Sequence, residues 1–117
     1  MSESRLAHAT RWAKERRTTR ATTRTPWKGF IYVIQDGEYT KIGIALSVAH
    51  RMYQLQVGNP RQLTLLKSWE VEDVSTIEDR LHSMLSRYYV RGEWFKLSPT
   101  LLTALVKCTN LDEFLPV

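Results

Sequence analysis

Alternating hydrophobic and polar positions predict a β-hairpin around residue 37. Two runs with this alternation, residues 30–35 and 39–45, stand on either side of Asp36-Gly37. Asp-Gly between two such runs favours a two-residue turn, because these residues tolerate the positive φ angles that the turn requires. The alternation gives the hairpin one aliphatic face, which consists of Ile31, Val33, Ile42 and Ile44.

The rest of the chain alternates between helical and extended patterns. Ser47 is a helix N-cap candidate, and Ser98-Pro99 places proline at the first position of a last helix. The order of elements predicts an α+β fold, in which a small three-stranded antiparallel sheet is flanked by helices. The further predicted elements are a helix over 47–57, a strand over 63–71, a helix over 75–89, an extended piece over 94–97 and a C-terminal helix.

A two-residue turn at Asp36-Gly37 predicts that Tyr32 stands directly opposite Lys41. Opposed side chains have Cβ atoms about 4.5–5.5 Å apart, and Gly43 leaves space beside them. A nearby cation favours the phenolate and lowers the pKa of a tyrosine, which can then take a proton from water. The alternative is an ordinary cross-strand contact without chemical function.

Three polar residues border the apolar stripes of the two central helices. Arg51 flanks the stripe of Val48, Met52 and Leu55. Its guanidinium can bind a phosphate through two hydrogen bonds. The alternative is that its aliphatic part packs on the stripe while the guanidinium stays in water.

Glu78 and His82 lie four residues apart beside the second stripe, made of Ile77, Leu81, Met84, Leu85 and Tyr88. One carboxylate can hold Mg²⁺ when water and substrate complete the shell. The alternatives are a capping box from Ser75 to Glu78 and a hydrogen-bonded, partly buried His82. For Glu93, we favour the interpretation as a surface carboxylate over that as a second catalytic acid.

The excess positive charge lies entirely in the first 28 residues. They carry a net charge of +6, whereas residues 29–117 carry −1. A basic arm next to a near-neutral domain is typical of phosphate-backbone binding, although a solubilising tail or a transit peptide has the same composition. The arm spans residues 1–28, partly helical or disordered, and its candidate DNA contacts are Arg11, Lys14, Arg16, Arg17, Arg20, Arg24 and Lys28.

Composition excludes several classes of protein. The 117 residues are 43% hydrophobic and 25% charged, which is ordinary for one globular domain. Cys108 is the single cysteine, so no internal disulfide and no cysteine zinc site is expected. Without an apolar run of about 18 residues or an apolar leader, we expect a cytoplasmic protein that does not bind a membrane.

The ordered set of motifs resembles the GIY-YIG endonucleases. Gly29-Phe30-Ile31-Tyr32-Val33-Ile34 and Tyr39-Thr40-Lys41-Ile42-Gly43-Ile44 are similar to the two strand motifs of that family. Arg51 follows Gly43 by eight residues, as the arginine of the family does, and Glu78 matches its metal-binding glutamate. The segment from Glu78 to Phe95 is similar to the branch with Lys-Ile-Gly in the second motif.

This resemblance implies a metal-dependent endonuclease domain over residues 29–117. Tyr32 would be the general base, and Lys41 would keep it deprotonated or orient the water. Arg51 would bind the scissile phosphate, and Glu78 would bind Mg²⁺ or Mn²⁺. His82 is the further catalytic candidate. The expected substrate is DNA, with RNA not excluded, and the expected ends are 5′-phosphate and 3′-hydroxyl.

Two features depart from the family pattern, and one of them is that an asparagine found late in the domain of some members has no clear equivalent here. Leu55 stands where many members have histidine or tyrosine, and His82 and Tyr53 are the residues available to substitute. The departure keeps two alternatives open: a nucleic-acid-binding module of the same fold without catalytic turnover, and an adaptor whose arm binds an acidic protein. The sequence does not indicate an oligomeric state.

Overall fold

The computed structural model describes residues 27–115, which form an α+β fold. Its α-helices are α1 (Val48–Val57), α2 (Val74–Met84) and α3 (Pro99–Lys107), and two short 3-10 helices cover Ser86–Tyr88 and Leu111–Glu113. Its strands are β1 (Gly29–Asp36), β2 (Tyr39–Ala45), β3 (Thr64–Val71), β4 (Tyr89–Arg91) and β5 (Trp94–Phe95).

The five strands form one antiparallel sheet in the order β3-β1-β2-β5-β4. The predicted fold class is confirmed, but the prediction of three strands is wrong. The two extra strands form a short hairpin after α2, and β5 adds it to the edge of β2. Strands of two and three residues are too short for alternation to be visible in the sequence.

The register of the first hairpin differs from the prediction by two residues. Tyr32 stands opposite Gly43, and Lys41 stands opposite Ile34. The turn residues are Gly37 and Glu38, because Gly37 takes the positive φ of 60° at the first turn position and Asp36 ends the strand. A shift of two residues leaves every side chain on its predicted face.

Each face of the sheet carries its own hydrophobic core. The aliphatic face of Ile31, Val33 and Ile42 packs against Leu81 of α2 and Leu105 of α3. The opposite face packs Tyr32 and Ile34 against one side of α1, which supplies Val48, Met52 and Leu55 as predicted. The polar candidates of the hairpin therefore share a face with α1 and not with α2.

The caps of α1 and α3 confirm the predicted helix starts. Ser47 Oγ accepts a hydrogen bond of 3.2 Å from the amide of His50, and Ser98 Oγ accepts one of 3.2 Å from the amide of Leu101. Both hydrogen bonds satisfy backbone amides of the first helical turn, which have no acceptor within the helix.

Helix α2 begins earlier and ends earlier than predicted. Its N-cap residue is Asp73, which rules out the alternative of a capping box from Ser75 to Glu78. The helix ends at Met84, which is 40% exposed although its position in the stripe predicted burial. Glu78 consequently lies in the second turn of the helix and is fully buried.

Among residues 27–115, no helix is both long enough and apolar enough to cross a membrane. The arm contacts from Arg11 to Arg24 lie outside the described residues. Lys28 lies within them and is exposed, and its ammonium is 3.7 Å from a carboxylate oxygen of Glu70 and 3.8 Å from one of Glu72.

Candidate active site

Four polar side chains from four parts of the chain meet on the α1 face of the sheet. They are Tyr32 of β1, Lys41 of β2, Arg51 of α1 and Glu93 of the turn between β4 and β5. The hydroxyl of Tyr32 donates to Glu93 Oε1 at 3.3 Å, and Lys41 Nζ lies 3.6 Å from the same oxygen. Interaction with the Tyr32 hydroxyl raises the pKa of Arg51, which places this guanidinium beside the phenol. One phenol therefore links a carboxylate and a guanidinium.

Gly43 makes this arrangement possible. A Cβ built at Gly43 would overlap both the Tyr32 hydroxyl and Glu93 Oε1, and it would lie 2.7 Å from the ring carbon that carries the hydroxyl. The hydroxyl end of Tyr32 therefore lies over the bare backbone of Gly43, where it meets Glu93. The ring of Tyr32 fills the gap that was predicted beside Gly43.

The surroundings of Tyr32 favour the neutral phenol. Burial and, to a smaller extent, the charge of Glu93 raise the pKa of Tyr32 from 10.0 to about 12, although Arg51 acts in the opposite direction. The expected lowering of this pKa by Lys41 is wrong for the free protein. Glu93 neutralises that cation locally, so the phenolate gains little from Lys41.

The two cations of the site have opposite shifts. Burial lowers the pKa of Lys41, while the carboxylate of Glu93 opposes the change. The hydrogen bond to Tyr32 raises the pKa of Arg51, which stays charged. Arg51 is half-buried, and its Nη1 also lies 3.5 Å from Gln54 Oε1. Arg51 is thus the fixed cation of the site, and Lys41 is the cation that releases a proton more readily.

Glu78 and His82 occupy a different environment on α2, whose apolar residues pack on the opposite face of the sheet. They are 0% and 4% exposed. His82 Nε2 lies 2.8 Å from the carbonyl oxygen of Ile42 and 4.0 Å from Glu78 Oε2. The ring of His82 meets Phe95 edge to face. Glu78 influences the cluster through its charge, as the weakest of the effects that act on the pKa of Lys41.

The structure does not fit a magnesium ion held by Glu78. Mg²⁺ on a single carboxylate needs space for water and substrate phosphate, and the fully buried Glu78 leaves none. Glu93 has one oxygen engaged by both Tyr32 and Lys41. Across residues 27–115, His, Cys, Asp and Glu side chains form no group of three that could hold a metal ion.

Glu93 is more buried and better connected than its sequence position predicts. Its side chain is 19% exposed and bonded to two site residues, so the prediction of a surface carboxylate is wrong. Glu93 comes to the site because the amide of Ile42 donates to its backbone carbonyl, which fixes the turn beside β2. The sequence signal was Gly92-Glu93 between two extended pieces, but strands this short do not reveal their partner.

The two residues considered as substitutes at the departing position do not enter the cluster. Tyr53 is 69% exposed on the outer side of α1, and Leu55 packs into the core under this helix. His82 lies on α2, where it contacts the backbone of β2.

The chain matches the family model described as T5orf172 domain over residues 29–110, which is more than half of its length. The chain belongs to the T5orf172 domain family. This family occurs in phage- and nuclease-associated proteins and is related to the GIY-YIG and HNH types of nuclease. Membership is consistent with a nuclease-like or DNA-binding module. No curated protein and no solved structure matched the chain.

We expect Gly43→Ala to lower the free energy of unfolding by about 1–3 kcal/mol, because the added methyl group displaces Tyr32 or Glu93. Urea denaturation measures the loss. Gly58→Ala is the matched control, since the nearest atom to its new Cβ is 4.0 Å away. Equal losses in the two variants would show that Gly43 has no special packing role.

The raised pKa of Tyr32 predicts a loss of stability in alkali. The folded state holds the phenol proton more tightly than the unfolded state, so this contribution is complete below pH 10.0 and disappears as the pH rises through about 12. Ultraviolet titration should show one late phenolate transition that Tyr32→Phe removes and Tyr53→Phe retains. A late transition that survives in Tyr32→Phe would assign it to another tyrosine.

Proposed function

We propose that this T5orf172 domain is an endonuclease of the GIY-YIG type that hydrolyses DNA phosphodiester bonds. The observation that carries the proposal is the convergence of Tyr32, Lys41, Arg51 and Glu93 on one face of the sheet. Phosphodiester hydrolysis requires a base for the attacking water, positive charge on the phosphate and a proton for the leaving oxygen. Tyr32 together with Glu93 supplies the base, Arg51 supplies the positive charge, and Lys41 supplies the proton.

A neutral Tyr32 activates the attacking water. The Tyr32 oxygen takes a proton from the attacking water as the Tyr32 proton moves to Glu93 Oε1, to which the hydroxyl already donates. No free phenolate forms at any stage, so the raised pKa of Tyr32 does not prevent the transfer. Glu93 is the final acceptor, and Tyr32 is the group that contacts the water.

The cations act on the phosphate and on the leaving group. Arg51 stabilises the negative charge on the phosphate oxygens, and its bond to Tyr32 aligns the phenol with the bound phosphate. Lys41 protonates the 3′ oxygen as the bond from phosphorus to this oxygen breaks, and its lowered pKa favours that transfer. The products carry a 5′-phosphate and a 3′-hydroxyl.

Dependence on Mg²⁺ or Mn²⁺ enters this proposal only from the family resemblance. The residues described above do not form a prepared metal centre, so each step is assigned to side chains of the chain. Activity is therefore to be measured with Mg²⁺, with Mn²⁺ and with a chelator.

Burial of Tyr32 favours a second candidate function. The residue is 1% exposed, so water reaches its hydroxyl only if Arg51 or Glu93 moves aside. If the cluster stays closed on DNA, it serves as a rigid base for Arg51, and the domain binds nucleic acid without cleaving it. Binding without cleavage under all three metal conditions distinguishes this candidate from the endonuclease.

We expect Tyr32→Phe and Glu93→Gln each to reduce the cleavage rate by about 10²–10⁴-fold, because each removes one half of the proton transfer. Nicking of supercoiled plasmid and sequencing of the ends measure rate and polarity. Arg51→Ala should cost about 10²–10³-fold.

Arg80→Ala and Glu78→Gln provide the matched controls. Arg80 is exposed on α2, so its loss should leave cleavage unchanged. Glu78→Gln keeps the shape of the buried side chain, and a loss of activity as large as that of Glu93→Gln would return the acidic role to Glu78. Equal rates in all variants and wild type would indicate a contaminating nuclease.

The basic arm is expected to supply most of the affinity for DNA. Replacing its six basic residues from Arg11 to Arg24 by glutamine should weaken binding and reduce the slope of log K against log salt by up to about 5. Fluorescence anisotropy at several salt concentrations measures this change. An unchanged slope would remove the arm from the DNA interface.

A further inference from the structure

A second concave site lies beside the cluster and has no part in the proposed hydrolysis. It encloses about 280 Å³ at the hairpin end of the same sheet face. Its walls are formed by Tyr39, Trp94, Arg91, Arg61, Asp36 and Asn59. Tyr39 precedes Lys41 by two residues on β2, so the pocket begins roughly 7 Å from the site lysine. That distance is about the rise of two stacked nucleotides.

Two aromatic rings form the walls of this pocket. Trp94 pairs with Lys41 in the sheet register, and the ammonium of Lys41 lies 5.1 Å from the centre of the indole. Tyr39 pairs with Asp36 at the end of the hairpin. Both rings are half-buried, so each is held by its strand while part of its surface faces the pocket. Such surfaces suit flat, unstacked rings such as nucleobases.

Charge at the edge of the pocket is positive and partly fixed. Arg61 Nε lies 2.8 Å from Asp36 Oδ1, and Asn59 Nδ2 donates to Asp36 Oδ2 at 3.3 Å. The buried Asp36 thereby anchors an arginine whose side chain remains 68% exposed. Arg91 is also exposed and forms no salt bridge within residues 27–115. The aromatic walls suit the base of a nucleotide, and the arginines at the edge suit its phosphate.

We propose that this pocket binds one unpaired nucleotide of the DNA strand next to the phosphate held by Arg51. The base lies between Tyr39 and Trp94, and the phosphate lies against Arg91. A base inside a duplex exposes only its edges, so only an unpaired or displaced base reaches these ring faces. The proposal rests on the endonuclease function above, and it assigns to that function a preference for DNA with single-stranded segments.

The test compares binding to two labelled DNAs of equal length in the presence of a chelator. One is fully paired, and the other carries a short unpaired thymidine segment. We expect wild type to bind the unpaired DNA about tenfold more tightly, and Tyr39→Ala and Arg91→Ala to bring the two dissociation constants close together. Arg91 is exposed, so its variant keeps the fold even if loss of Tyr39 weakens the hairpin.

Arg87→Ala is the matched control for Arg91→Ala. Arg87 is an exposed arginine outside the pocket. This variant should keep the tenfold preference. Equal binding of the two DNAs by wild type, or a preference retained in both pocket variants, would overturn the proposal. These are binding measurements, so a domain that does not cleave DNA still passes or fails them independently.

Discussion

The contact of the Tyr32 ring with the bare backbone of Gly43 is the constraint on which the candidate site depends. The register places these residues opposite each other, and the missing Cβ lets the hydroxyl end of the phenol lie over the backbone of β2. Only then does the hydroxyl reach both the carboxylate of Glu93 and the guanidinium of Arg51. The same close approach excludes water from the ring, which is the main reason why the phenol stays protonated.

Glu93 determines the electrostatic balance of the cluster. Its Oε1 accepts a hydrogen bond from the phenol and lies beside the ammonium of Lys41, so one negative charge interacts with a neutral donor and with a cation. A carboxylate in this position raises the pKa of the phenol and opposes the lowering of the pKa of Lys41. Bound phosphate would add negative charge to the cluster and favour the protonated form of Lys41. In the proposed mechanism, substrate binding would therefore favour the protonated lysine that donates to the leaving oxygen.

Local patterns predicted the parts of this fold that depend on near neighbours in the chain. Alternation assigned Ile31 and Val33 to one face and Tyr32 to the other, and the caps at Ser47 and Ser98 were visible as single residues. The contacts of Glu93 were not predictable, because they join residues 61 apart through a strand of two residues. The register was wrong since Asp-Gly fits two adjacent turn positions, and only the φ of Gly37 distinguishes them.

The separation of the two acidic residues has a physical logic. A carboxylate that accepts a proton during catalysis must exchange it with solvent afterwards, which requires partial exposure. Glu93 meets this requirement at 19% exposure, and Glu78 at 0% does not. Glu78 lies beside His82, which contacts the carbonyl of Ile42, so this pair stabilises the strand that carries Lys41 and Gly43. In the proposed function, the accessible Glu93 accepts the proton, and the buried Glu78 supports β2 through His82.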